Sequence, residues 1–187
     1  AASAFESPKI QVAGLVIAEY SENYSHHAAK ESLADWLKTS GVPAITGIDT
    51  RALTKRLREH GVMLGQLVQS GTPKAFIDRN EENVVARVSI KKKRVYGNGP
   101  IKIIAIDCGM KENQVRLLTR PEITFMRVPW DYDFTDEKYD ALFISNGPGD
   151  PTHCIHTIDH IKKAMVDNKP ILGICLGIQL LALAAGA

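Results

Sequence analysis

The chain has 187 residues, 44% of them hydrophobic and 24% charged, with a formal net charge of +2. That length holds one large domain or two small ones, each with its own core, and so mild a charge gives no argument for a nucleic-acid partner. No apolar run reaches membrane-spanning length; the longest, over residues 170–187, is broken by glycines.

The opening Ala1-Ala2-Ser3-Ala4-Phe5-Glu6 has neither the basic nor the apolar region of a secretory signal. The cysteines, Cys108, Cys154 and Cys175, are odd in number and lack C-x-x-C spacing. That argues against a disulfide framework or a zinc ribbon and fits a reducing compartment.

In chain order, residues 12–18 read as a strand. Residues 27–38 read as a helix that buries Leu33, Trp36 and Leu37. Asp49-Thr50 caps a helix over residues 51–60 that stops at Gly61. Residues 62–69 and 84–90 look like strands. These elements make a mixed α and β domain that looks cut at its start. The run Lys91-Lys92-Lys93-Arg94 and the turn residues up to Pro100 read as a linker. The boundary expected from it separates residues 1–97 from residues 98–187. A nucleic-acid patch is the poorer reading, because only Tyr96 is available for stacking.

Beyond the linker, strands and helices alternate. Strands are expected over residues 101–106, 123–128, 139–145 and 170–174, and helices over 111–118, 152–167 and 176–185. In the second helix Ile155, Ile158, Ile161 and Met165 form an apolar stripe. Short apolar strands alternating with helices imply right-handed crossovers and a parallel sheet covered on both faces. The expected fold is therefore an α/β doubly wound parallel sheet, preceded by a partial mixed α and β domain.

The chemistry centres on Gly173-Ile174-Cys175-Leu176-Gly177, which lies between a strand and a helix. A thiol needs thiolate character and access to act as a nucleophile, and a G-x-C-x-G elbow offers both. Its glycines admit a closely approaching backbone, and the helix N-terminus favours negative charge at the sulfur. The Leu176 N–H is then free to donate to an oxyanion. Gly147 and Gly149, in the turn Asn146-Gly147-Pro148-Gly149-Asp150-Pro151, are suited to supply the second donor from the same sheet edge. Taken singly, Cys175 also fits an ordinary buried cysteine and the Gly-Pro-Gly turn a plain connection.

These residues resemble the class I (triad) glutamine amidotransferases, and more closely the glutaminase region of carbamoyl-phosphate synthetase. The resemblance rests on Ser145 to Pro151 and on the run from Gly173 through Gln179 to Ala182. It rests further on Asp49-Thr50-Arg51-Ala52-Leu53-Thr54 and on Ile106-Asp107-Cys108-Gly109-Met110-Lys111. Phe5-Glu6-Ser7 and Val128-Pro129-Trp130-Asp131 look like the eukaryotic fused forms. The resemblance implies that Cys175 attacks glutamine's carboxamide, that Gly147 and Leu176 form the oxyanion hole, and that Gly147, Gly149, Leu176 and Gln179 bind glutamine. Ammonia would pass to a large synthetase component, separate or fused, that uses ATP, magnesium and bicarbonate; this chain itself would hold no cofactor or metal. The first domain would dock on that component. The setting would be the cytoplasm or the mitochondrial matrix, with no nucleic-acid or membrane partner. Many relatives carry His where this chain has Ile178. The family's triad ends in a His-x-Glu pair far downstream, which these residues do not include, so the chain alone is expected to be nearly inactive.

Two rival readings remain: a non-catalytic docking or regulatory module of the same complex, and another cysteine acyl-transfer hydrolase. Among decoys, His156 and His160 have a spacing that can bind zinc, with His153 and Cys154 nearby. No persuasive acidic partner accompanies them, and solvated helix histidines are expected. Cys108 lacks a preceding glycine and reads as core.

Overall fold

The computed structural model describes residues 5–7, 9–27 and 29–187. It divides into two compact units, Ala1–Asp78 and Arg79–Ala187.

In the first unit β1 (Leu15–Val16) pairs in parallel with β2 (Ala44–Ile45). Between them lies α1 (Leu33–Thr39), which begins where Ser32 caps it. The Ser32 Oγ accepts from the Asp35 N–H at 3.0 Å and donates to the Asp35 carboxylate at 2.6 Å. α2 (Thr50–His60) has the expected Asp49 cap, at 2.9 Å from the Ala52 N–H, and ends at Gly61 with φ of 76°. The strand expected over 12–18 shrinks to β1. The helix expected from residue 27 starts only after its Ser32 cap, and residue 28 lies outside the described residues. Residues 62–69 form no strand. Val62 is 82% exposed there, and β-propensity without a neighbouring ladder does not hold a strand.

The second unit contains, in chain order, α3 (Val84–Val88), β3 (Arg94–Tyr96), β4 (Ile101–Asp107), α4 (Glu112–Leu118), β5 (Ile123–Pro129), β6 (Ala141–Ile144), α5 (Ile155–Val166), β7 (Ile171–Gly173) and α6 (Leu176–Ala185). Its sheet has the order β3-β5-β4-β6-β7 and is parallel except for β3. Ile104, Ile106, Met126, Val128, Leu142 and Ile144 point to one face, where Ile158 and Ile161 of α5 and Leu176 and Leu180 of α6 pack on them. Ala105, Phe125 and Phe143 point to the other, against Val115 of α4. With both faces covered, the strands read as largely apolar runs, with Arg127 in β5 and Asp107 at the end of β4 among the exceptions. This is the doubly wound α/β domain expected.

From β4 the chain passes through α4 to β5 on one side, then returns to β6 on the other side of β4. That reversal places a topological switch point between β4 and β6, where the loops that follow them leave the same edge.

Three expectations in this unit change. The boundary expected after residue 97 lies inside the second unit, because residues 94–96 are not linker but the edge strand β3, antiparallel to β5. Its charges suit an edge that faces water, while Tyr96 stacks on Phe125 with centroids 5.3 Å apart. Residues 84–88, expected as strand, are α3. The Val84-Val85 pair favours a strand, but the Asn83 Oδ1 caps the Ala86 N–H at 2.9 Å and only Val85 needs burial. In α5 the buried stripe is Thr157, Ile158, Ile161 and Ala164, whereas Ile155 is 63% exposed. A separate 3-10 turn at Pro151–His153 takes up the first residues expected in that helix.

The stripe is testable. Ile161→Ala should lower the unfolding free energy by about 2–5 kcal/mol, and Ile155→Ala by no more than about 0.5 kcal/mol. Denaturant midpoints of the two variants measure this.

Candidate active site

β7 runs into the elbow with no intervening loop, and Cys175 is the N-cap residue of α6. Its backbone has φ of 54° and ψ of −110°, on the left-handed side that a residue with a Cβ rarely occupies. Such a conformation costs on the order of 1–3 kcal/mol and persists only when its surroundings impose it. Here they do. The Ile174 N–H donates to the Ile144 carbonyl at 3.0 Å, and the Gly177 N–H donates to the Ile174 carbonyl at 2.9 Å. A Cβ on Gly177 would lie 2.2 Å from the Ile144 oxygen, and one on Gly173 would lie 2.5 Å from the Gly177 carbonyl carbon. The two motif glycines therefore let β6, β7 and the start of α6 interlock backbone to backbone.

Cys175 is exposed, whereas Cys108 and Cys154 are buried. Burial pushes the Cys154 thiol up to about 11, with Asp150 adding to it. Burial, with Cys154 and Asp107 as lesser causes, raises the Cys108 thiol further. Both stay protonated and sheltered near neutral pH, so Cys175 alone combines access with an elbow.

The loop after β6 comes to the same place. A Cβ on Gly147 would meet the Leu176 Cδ2 at 2.7 Å and the Cys108 carbonyl oxygen at 2.2 Å. Gly147 is thus packed between the loop after β4 and the first residue of α6. Among the described residues, neither the Leu176 N–H nor the Gly147 N–H makes a hydrogen bond. One unspent backbone donor adjoins Cys175 in sequence and the other sits in a loop packed on the Leu176 side chain; backbone donors of this kind are what an oxyanion site needs. Gly149 turns toward α3: its φ is 82°, and a Cβ there would lie 3.2 Å from the Val84 Cβ. Gln179 is exposed on the first turn of α6, with its N–H 3.3 Å from the Cys175 carbonyl.

Sequence reasoning missed the support beneath the loop after β4. Arg127, within a strand read as apolar, places its Nε 2.7 Å from the Asp107 carboxylate; their side chains are 7% and 0% exposed. Burial works against the guanidinium charge, but Asp107 and then Glu112 outweigh it, and the net shift is upward. The available signal was an arginine among β5 apolar residues and an aspartate ending the adjacent strand.

The histidines have other engagements. His153 Nδ1 lies 3.2 Å from the Glu82 carbonyl, and His156 tilts against Trp130 with centroids 6.0 Å apart. His160, expected in solvent, is only 13% exposed, edge-on to Phe134, with Nε2 3.8 Å from Asp133. It fills space beside the β5–β6 connection. Among the described residues no helix is long and apolar enough to cross a membrane.

Comparison with known proteins matches two stretches of the chain to family models. Residues 104–187 match the family model for glutamine amidotransferase class-I, and residues 1–67 match that for the carbamoyl-phosphate synthase small chain, CPSase domain. The chain is 51% identical to multifunctional protein CAD of Squalus acanthias, covering 98% of this chain and 8% of that protein. It is 43% identical to multifunctional protein URA2 of Saccharomyces cerevisiae, over 98% of this chain and 10% of the other. It is also 43% identical to the human protein named carbamoyl-phosphate synthase [ammonia], mitochondrial, over 97% and 12% respectively. The chain thus spans about a tenth of the length of these relatives. Over the two matched segments it is similar to the carbamoyl-phosphate synthase small-chain and class-I glutamine amidotransferase families.

Proposed function

We propose that this chain supplies the glutamine-hydrolysing nucleophile of a carbamoyl-phosphate synthase. The supporting observation is the exposed Cys175 on its constrained elbow, with an unspent N–H on the adjoining Leu176 and another on Gly147, which packs against the Leu176 side chain. The name of the human relative specifies ammonia, so similarity by itself does not select glutamine; the elbow favours it.

In this reading the Cys175 sulfur bonds to the carboxamide carbon of glutamine, and negative charge collects on the carbonyl oxygen between the two N–H donors. The C–N bond then breaks, the nitrogen takes a proton and leaves as ammonia, and a glutamyl thioester remains. Water cleaves the thioester to glutamate. Gly149 and Gln179, flanking the elbow, help hold the glutamine. Ammonia passes to a synthetase component that uses ATP, magnesium and bicarbonate, in the same polypeptide or another. The first unit docks on that component: α2 buries none of its residues, although Leu53 and Leu57 lie on it four apart.

Two outcomes follow. A diazo-ketone analogue of glutamine near pH 7.5 should label Cys175 and leave Cys108 and Cys154 unmodified, as read by mass spectrometry of peptides; Cys175→Ser should take up none. Labelling at either buried cysteine instead would refute the assignment. Second, among the described residues of this unit His153, His156 and His160 pack against other groups, so we expect no imidazole of this unit to serve the thiol. Ammonia release by the chain alone should fall short of typical glutaminase turnover by about 10²–10⁴-fold. A steady-state assay giving full turnover contradicts this.

A further inference from the structure

The reaction above needs the Gly147 N–H held still, yet Gly147 belongs to a loop with no regular structure of its own. We propose that Arg127, acting through Asp107, is a positioning residue for the Gly147 side of the oxyanion site; this rests on the glutamine-hydrolysis reading.

The links run outward from the sheet. Arg127 Nε donates to the Asp107 Oδ2 at 2.7 Å, and its Nη1 reaches the Glu112 Oε1 at 3.3 Å. The guanidinium is therefore anchored at two points, one on β4 and one on α4. The Asp107 Oδ1 accepts from the N–H groups of Gly109 and Met110, both at 2.8 Å, and its Oδ2 accepts from the Ile90 N–H at 3.3 Å. One buried carboxylate thus sets the backbone of the loop after β4. That loop presents the Cys108 carbonyl to Gly147, and Gly109 to Pro148 and Gly147.

Cross-ties complete the coupling. The Cys108 N–H donates to the Ser145 Oγ at 2.9 Å, and that hydroxyl donates to the Asn146 carbonyl at 2.8 Å. The Asn146 amide donates to the Gly109 carbonyl at 3.2 Å and accepts from the Lys111 N–H at 3.4 Å. Every tie ends on residues 145–146 or on the loop that contacts Gly147. A buried ion pair is seldom a better stabiliser than an apolar pair of the same volume. Its value here is directional: the carboxylate turns one oxygen, with two hydrogen bonds, onto the loop after β4 and ties the other oxygen to Ile90.

The test compares two alkylations of Cys175 in the 187-residue chain. A chloroketone analogue of glutamine gathers negative charge on its ketone oxygen as sulfur attacks, so it draws on the oxyanion donors before chloride leaves. Iodoacetamide loses iodide by direct displacement and does not. Loss of one oxyanion donor costs about 10²–10³-fold in rate. Arg127→Met and Asp107→Asn should therefore slow the chloroketone at least about tenfold, while the iodoacetamide rate stays within about twofold. Arg127→Lys, which keeps a charge beside Asp107, should recover most of the rate. Asn146→Ala, at the half-buried end of the same ties, should show the same selective loss, and it decides the matter if the buried variants do not fold. Equal slowing with both reagents, or an unchanged chloroketone rate in folded variants, overturns the positioning role. If Cys175 of the unsubstituted chain shows no preference for the glutamine-shaped reagent, the hydrolysis reading falls and this proposal with it.

Discussion

The second unit depends on an approach of backbone to backbone that leaves no room for a side chain. The Gly177 Cα sits against the Ile144 carbonyl, and Gly173 sits against Gly177. With those contacts closed, β6, β7 and α6 become one rigid joint, and the residue at its apex has no freedom to relax. Cys175 is consequently held, as an exposed residue, on the left-handed side of backbone space. The strain at that residue is offset by the burial of Leu176 and Leu180, which seat the first turns of α6 in the core.

The same edge carries a second joint of a different kind. Where the elbow is fixed by the absence of side chains, the loops after β4 and β6 are fixed by polar side chains that reach backbone groups. Asp107, Ser145 and Asn146 each bond to the main chain of a neighbouring loop. Buried polar groups of this type are costly unless fully paired. The Asp107 carboxylate accepts from three N–H groups and from the Arg127 guanidinium. A close-packed apolar sheet thus ends in a polar rim whose geometry is set by the residues beneath it.

How much of this was legible in the sequence follows from what leaves a trace there. The elbow was legible because a close approach demands glycine, and Gly173 and Gly177 stand at the required spacing around the cysteine. The parallel strands were legible because two-sided burial makes them mostly apolar. The α2 boundaries were legible because Asp49 and Gly61 are local signals. What failed was whatever depended on distant partners. β3 looked like a linker because an edge strand open to water can be as charged as a loop. α3 looked like a strand because Val84 and Val85 favour one locally, and the Asn83 cap decided otherwise. Arg127 was invisible as a ligand of Asp107 because their meeting depends on the β4–β5 register, which pairs Ala105 with Arg127. Asp107 stands two residues further on the same face, and no pattern within either strand records that adjacency.

The most direct measurement is a crystal structure of the Cys175 adduct formed with the diazo-ketone analogue of glutamine. The account predicts a thioether at Cys175 with the adduct's ketone oxygen about 2.7–3.1 Å from both the Leu176 and the Gly147 nitrogens. A ketone oxygen turned to solvent, or a Gly147 N–H directed away from it, would contradict the account.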